Sequence, residues 1–307
     1  MDLSIVIPCK ADEPHLMQTL ESIERTAPGS EVIVVFDGCA PPENLPANFT
    51  AVMPEMPLGT QSSRHTGIMA AGGDVVFTCD AHMDFQPGWA SQLRSYLHHE
   101  PDGLCCFKMV ALEDGHDSWT QGRGVYKGAA MNWMVREDSG FHGALVGKWA
   151  DNKPGDEISC VMGACYGMRR QRYLDLNQPW RLGTGWGCDE ETISAVQWLC
   201  GGRIDLLDHY VGHYMGKPRH CSVDWVDQLW ANRLRLLWML PFKNATKVEL
   251  VTWLTCNKAF AARLNKINAH AYLSSADLFR ESTPWTRTIE DWIERFELKP
   301  RSKNGKA

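Results

Sequence analysis

The residues able to do chemistry sit where apolar runs stop. The run at residues 75–78 ends in Cys79-Asp80-Ala81-His82, which puts a carboxylate and an imidazole two positions apart. Along a strand, residues i and i+2 point to the same face, so Asp80 and His82 are expected to reach one cation just beyond a strand end. A carboxylate oxygen beside an imidazole nitrogen suits Mn²⁺, with Mg²⁺ possible but a poorer match for nitrogen. Chance supplies less than one Asp-x-His triplet in a chain with 20 Asp and 11 His. A second triplet, Asp114-Gly115-His116, has no apolar run before it and is set aside. The run at residues 32–36 also stops on an acid, Asp37, followed by Gly38. Further on, Asp189, Glu190 and Glu191 are consecutive after a glycine-rich stretch. Acids in such a position complement the dipole of a helix N-terminus.

These residues need a scaffold that brings strand ends together. "LSIVIPCK" (residues 3–10) reads as a buried strand. Residues 13–27 follow with Leu16, Leu20 and Ile23 at helical spacing, then a second buried strand at 32–36. A helix-compatible "TQSSRHTGIMAAGG" leads to the third strand, at 75–78. Alternating strands and helices predict an open, mostly parallel α/β sheet with flanking helices. Such sheets bind ligands at the carboxyl ends of their strands, where Asp37 and Asp80 lie. Residues 113–159, rich in Gly, Asp and Trp, read as loops and short strands, and residues 159–176 as a strand and a helix. Residues 184–217 read as a loop, an acidic helix start, a helix ending at Gly201-Gly202, and a strand. From residue 218 the pattern is helical: "VDWVDQLWANRLRLLWML", "VELVTWLTCNKAFAARLNKI" and "IEDWIERFEL", closed by a polar tail. The expected organisation is a catalytic domain at 1–217 with a helical extension at 218–307 packed on it.

Composition narrows the function class. The 307 residues, 44% hydrophobic and 22% charged, suit a soluble globular protein with a substantial core. No apolar run approaches the roughly 20 residues of a membrane helix, and the first residues lack a signal-peptide layout, so the cytoplasm is the expected location (a host's cytoplasm if the chain is phage-encoded). The 11 cysteines include no C-x-x-C pair, so a zinc ribbon or disulfide scaffold is not expected. Net charge is −6 overall, yet from Lys217 onward 16 Lys and Arg face 9 Asp and Glu, a net of +7. That surface could meet an anionic partner.

The order of these motifs resembles the GT-A glycosyltransferase fold, within the broad family-2 group, and most of all the catalytic domain of the polypeptide N-acetylgalactosaminyltransferases. The likeness rests on "IPCKADEPHLMQTLESI", "SSRHTGIMAAGGDVVFTCDAHMDFQPGWASQL", "MGACYGMRRQRY", "WGCDEETISAVQWLCGG" and "VGHYMGK", with an echo in "RLRLLWM", spanning residues 3 to about 240. It departs from the family where Phe36-Asp37 keeps one acid of two, and where Cys188-Asp189-Glu190 replaces Gly-Glu-Asn.

The resemblance implies a metal-dependent enzyme that moves a sugar from a UDP-sugar (GalNAc, GlcNAc or glucose class) to an acceptor hydroxyl. It implies His213 as the third metal ligand beside Asp80 and His82. It places Asp37 on the uracil or ribose, Arg64 on the nucleotide and its phosphates, and Gly163 and Ala164 against the sugar. Asp189 matches a sugar-contacting acid, Trp186 walls the pocket, and Asp189 or Glu190 would be the base of an inverting reaction, whereas a retaining reaction needs no such base. The acceptor stays open among a saccharide, a peptide, a small molecule, and the hydroxymethylated pyrimidines of phage DNA. A non-catalytic nucleotide-sugar-binding protein is the alternative from outside enzymology.

Overall fold

The structure is a computed structural model describing residues 1–10, 13–113, 125–134, 143–215, 225–243, 247 and 269–298. The Asp114-Gly115-His116 triplet, the helical pattern at 248–267 and the C-terminal tail lie outside the described residues.

The core is a nine-stranded sheet. Its strands are β1 (Leu3–Cys9), β2 (Glu31–Phe36), β3 (Thr50–Val52), β4 (Val75–Cys79), β5 (Met83–Phe85), β6 (Leu104–Leu112), β7 (Val125–Tyr126), β10 (Cys165–Arg169) and β11 (Ile204–Tyr214). The spatial order is β3-β2-β1-β4-β10-β6-β11-β5, with β7 on β6. β1, β2 and β4 are the apolar runs read from the sequence. Ile5, Val6 and Ile7 are fully buried, as expected of strands covered on both faces. Pairing is parallel from β3 through β4 and again between β6 and β11. β10 runs antiparallel to both β4 and β6 and so joins the two parallel groups. A separate hairpin, β8 (Ala129–Met134) and β9 (Gly143–Trp149), fills part of the loop-rich excursion.

The helices are α1 (Leu16–Thr26), α2 (Thr60–Ala70), α3 (Trp89–His99), α4 (Arg170–Asp175), α5 (Asp189–Leu199), α6 (Trp225–Met239), α7 (Ala269–Ser282) and α8 (Ile289–Arg295). α1 buries Leu16, Leu20 and Ile23, the stripe its spacing predicts. On the same helix Thr19 and Ser22 turn polar atoms inward. The Thr19 hydroxyl accepts from Met83 N at 2.9 Å, and the Ser22 hydroxyl accepts from Phe85 N at 2.6 Å. Together they fix the short strand β5. Among the described residues no helix is long and apolar enough to cross a membrane.

α6 grips the loop before α5 with one stripe of side chains. Asn232 Nδ2 donates to the carbonyls of Thr184 at 2.9 Å, Trp186 at 3.2 Å and Gly187 at 3.0 Å. Trp186 N donates to Gln228 at 3.1 Å, and Arg235 donates to the Leu182 carbonyl and to Gln61 at 3.1 Å. Spacings of four and three residues place Gln228, Asn232 and Arg235 on one helix face.

That loop also docks backbone to backbone on the start of α2. Gly59, at φ +88°, and Gly185, at φ +64°, lie against each other, with Thr60 N to Gly185 O at 2.9 Å and Gly185 N to Leu58 O at 3.0 Å. A Cβ on Gly59 would stand 2.1 Å from the Gly185 carbonyl oxygen. Gly155 has a similar φ of +85° but open space around it. Gly155→Ala should therefore cost only the left-handed penalty of about 1–2 kcal/mol. Gly59→Ala should cost about 3 kcal/mol or more, because backbone must move. Urea unfolding of the two variants measures the difference.

Candidate active site

Three elements deliver the atoms of the cluster. Asp80 follows β4, and its N–H donates to the Ala164 carbonyl at 2.9 Å. His213 lies on β11 opposite Met83 of β5, and Tyr214 N donates to the His82 carbonyl at 3.0 Å. The antiparallel β5–β11 pairing thus sets the two imidazoles together, with ring centroids 4.6 Å apart and planes at 72°. His82 is not on β4, which ends at Cys79. The chain bends after Asp80 and reverses into β5, so the pair converges through that bend rather than by sharing a strand face.

One donor atom from each of Asp80, His82 and His213 lies within 4.8 Å of the others. Asp80 Oδ2 is 3.4 Å from His213 Nε2 and 3.9 Å from His82 Nε2. An octahedral ion with bonds of about 2.1 Å holds cis ligands about 3 Å apart and trans ligands about 4.2 Å apart. The two oxygen–nitrogen separations fall between those limits, and the mixed donor set suits a divalent metal such as Mn²⁺. Each ring turns its other nitrogen away. His82 Nδ1 is 3.0 Å from Glu13 Oε2, and His213 Nδ1 is 3.0 Å from Met215 Sδ. Burial pushes the Asp80 carboxyl up, but the His213 hydrogen bond and the Arg64 and His82 charges outweigh it, holding Asp80 below the usual carboxylate range.

Arg64 occupies the middle of the site. It is only 3% exposed on α2, and its guanidinium donates to Asp80 Oδ1 at 2.9 Å, to the Gly163 carbonyl at 3.4 Å and to the Tyr166 hydroxyl. Asp189 Oδ2 lies 3.7 Å away on the other side. The sequence reading put Arg64 on the nucleotide phosphates. In the structure its terminal nitrogens span two carboxylates as a buried strut, while its Nε has no hydrogen-bond partner among the described residues.

Asp189 opens α5 and is buried. Thr60 Oγ donates to its Oδ1 at 3.0 Å, and Trp180 Nε1 donates to its carbonyl at 3.0 Å. Burial lifts the Asp189 carboxyl above its ordinary range, while Arg64 and Thr60 hold part of that rise back. Glu190 is half-buried, and a Cβ on Gly163 would stand 1.9 Å from its Oε1, so this carboxylate lies along Gly163. Burial, then the charges of Glu191 and Asp189, push Glu190 well above the usual glutamate range, against Arg64. Glu191 points elsewhere and accepts from Gly147 N of β9 at 2.9 Å. Cys188, at φ +63°, makes the turn into α5 in the left-handed region, where the resembled family has glycine.

The structure therefore brings together Asp80, His82, His213, Arg64, Asp189, Glu190, Gly163 and Ala164. Asp37 lies at the end of β2, where both its oxygens accept backbone N–H groups, from Leu58 and from Gly59 at 2.9 Å. That bond set anchors the chain leading into α2. Trp186 is half-buried with its ring against Trp225, centroids 5.4 Å apart. Sequence reasoning missed Glu13, Thr60 and Tyr166. Only Glu13 carried a sequence signal, as an acid in the short loop between the first strand and the first helix.

The family-2 glycosyltransferase model ("Glycosyl transferase family 2") matches residues 4–174. The curated relatives include a probable N-acetylgalactosaminyltransferase 6 of Caenorhabditis elegans, 23% identical over 56% of this chain and 28% of that protein. Mouse polypeptide N-acetylgalactosaminyltransferase 10 is 26% identical over 70% of this chain and 38% of its own length. The chain thus spans well under half the length of these relatives. Among solved structures, GalNAc-T7 with UDP, GalNAc and Mn²⁺ superposes with a TM-score of 0.68 at 17% identity, covering 96% of this chain and 57% of that one. Staphylococcus aureus TarS 1–349 with UDP-GlcNAc gives a TM-score of 0.52 at 14% identity, covering 96% and 82%. The fold is the GT-A fold of these glycosyltransferases, and with more than half its length matched, the chain belongs to glycosyl transferase family 2.

Proposed function

We propose that the protein is a metal-dependent glycosyltransferase that moves a sugar from a UDP-sugar to an acceptor hydroxyl. The observation that carries this reading is the convergence of Asp80, His82 and His213 within 4.8 Å at the strand ends, beside the half-buried Glu190. Asp80, His82 and His213 would hold the ion, which when bound neutralises the diphosphate of the departing UDP. Asp37 keeps lone pairs open for the ribose or uracil after serving Leu58 and Gly59. Arg64 holds Asp80 and Asp189 at fixed separation, Asp189 faces the sugar, and Gly163 and Ala164 let the chain pass close to it. Trp186 walls the acceptor side. Glu190 is the general base: the acceptor oxygen bonds to the anomeric carbon, the bond from that carbon to the UDP oxygen breaks, and the acceptor proton passes to Glu190. Asp189 is less suited to that task, since the Arg64 charge and the Thr60 hydrogen bond both favour its ionised form over taking up a proton.

The names of the relatives favour a GalNAc donor and a polypeptide hydroxyl, with GlcNAc and glucose as the other donor classes. Cys79, Cys105, Cys106, Cys160, Cys165, Cys188 and Cys200 form no disulfide, which suits a reducing compartment such as the cytoplasm.

Three outcomes test the reading. First, the protein should hydrolyse or transfer from a UDP-sugar only with Mn²⁺ or Mg²⁺, and Asp80→Asn should reduce kcat by about 100-fold or more. Turnover indifferent to EDTA and to Asp80→Asn would refute metal dependence. Absence of turnover with every UDP-sugar, despite UDP binding, would favour a non-catalytic binding protein. Second, Glu190→Gln should lower kcat by about 10²–10⁴-fold with little change in donor KM. The base must be ionised, so wild-type kcat/KM should rise with pH through a limb lying above the free-glutamate value of about 4.3. That limb should vanish in Glu190→Gln, and the wild-type product should show an inverted anomeric centre. Retention of configuration would remove Glu190 from this role. Third, a panel of Ser/Thr peptides, oligosaccharides and hydroxymethylated DNA, assayed with UDP-GalNAc, UDP-GlcNAc and UDP-glucose, identifies the acceptor. Transfer to peptide hydroxyls is the expected result.

A further inference from the structure

Glu13 follows β1 and stands before α1, and its carboxylate is largely shielded, at 13% side-chain exposure. Its Oε2 lies 3.0 Å from Nδ1 of His82, a residue 69 positions later. Its other oxygen accepts the N–H of His15 at 3.3 Å, which fixes the carboxylate's direction. His15 in turn stacks flat on Tyr214, centroids 4.2 Å apart and planes at 3°, and Tyr214 is the neighbour of His213. Below them, Thr19 of α1 donates to the carbonyls of Ala81 at 3.1 Å and Met83 at 3.0 Å, bracketing His82 from the backbone side. Backbone and carboxylate together leave the His82 ring one orientation, with Nε2 toward Asp80.

A carboxylate can accept only a proton-bearing nitrogen, so Glu13 places the proton of neutral His82 on Nδ1 and leaves the Nε2 lone pair bare. That is the tautomer a metal needs at Nε2. A carboxylate behind the ring also makes that nitrogen a stronger donor. Without a partner on Nδ1, the ring could rotate or carry its proton on Nε2, and the cluster would lose one of its three donors part of the time.

We propose that Glu13 is a positioning residue for the divalent-metal site: it fixes the tautomer and orientation of His82 and thereby sets the affinity of the Asp80–His82–His213 cluster for its ion. The proposal rests on the metal reading above.

The test is Mn²⁺ binding to the whole protein, followed by electron paramagnetic resonance of free Mn²⁺ in the absence of any sugar donor. Wild type should bind one ion per chain. Glu13→Ala should weaken binding by about 10- to 100-fold, with the metal-free melting temperature little changed. Glu13→Gln keeps an acceptor but loses the charge, and should fall between the two; it carries the test if the alanine variant fails to fold. In a His82→Ala background, Glu13→Ala should produce no further loss, because its effect passes through the missing ring. Wild-type affinity in Glu13→Ala, or in Glu13→Gln if alanine does not fold, overturns the proposal. So does an equal added loss in the His82→Ala background, which would mark a structural role. Failure of wild type to bind Mn²⁺ would instead refute the metal reading itself.

Discussion

One buried cation organises the site. The Arg64 guanidinium, shielded from solvent on α2, lies between Asp80 and Asp189 and would be strongly destabilising there without them. The dependence runs both ways, because each carboxylate also needs the cation to remain ionised under burial. Asp80 succeeds, helped by His213 and His82, and stays in the form that can ligate a metal. Asp189 is only partly offset, and Glu190, next in the chain, is hardly offset at all. One fixed positive charge thus grades three carboxylates along a few ångströms. The nearest is held below the usual carboxylate range, the second lies above it with part of the rise held back, and the third lies well above it. The proposed sugar transfer would draw on that grading.

The rest of the architecture holds these charges at the right separation. α2 presents Arg64, and its starting turn is fixed by Asp37 and by the close approach of Gly59 to Gly185. α6 holds the loop before α5 through Gln228, Asn232 and Arg235, so the helix that carries Asp189 and Glu190 starts from an anchored position. α1 fixes β5 through Thr19 and Ser22, and β5 pairs with β11 to bring in His213. These contacts come from residues that do no chemistry, yet each sets the position of one that does.

Much of this was legible in the sequence, for identifiable reasons. The strands β1, β2 and β4 are buried on both faces, so their continuous apolar runs announce them, and the acids at their ends mark the ligand edge. The α1 stripe follows from helical spacing, and the consecutive acids of α5 are visible as such. His213 is different: nothing in its surroundings sets it apart from other strand histidines, and only the resemblance singled it out. The protein partners of Arg64 were not legible, because Tyr166 and Asp189 lie more than a hundred positions away. Glu13 was passed over for the same reason, since its partner His82 meets it only through the reversal of the chain after Asp80. The antiparallel course of β10 was likewise hidden, because a short run of small and apolar residues carries no direction.

That antiparallel strand has a mechanical consequence. β10 is the seam where the group containing β1, β2, β3 and β4 meets the group containing β6 and β11. Asp80 belongs to the first side of the seam and His213 to the second, while His82 sits on the link between them. Any ion shared by Asp80 and His213 would span the seam like a rivet, adding a transverse tie beside the backbone hydrogen bonds to one five-residue strand. Loading the site and stiffening the two half-sheets against shear are then the same event.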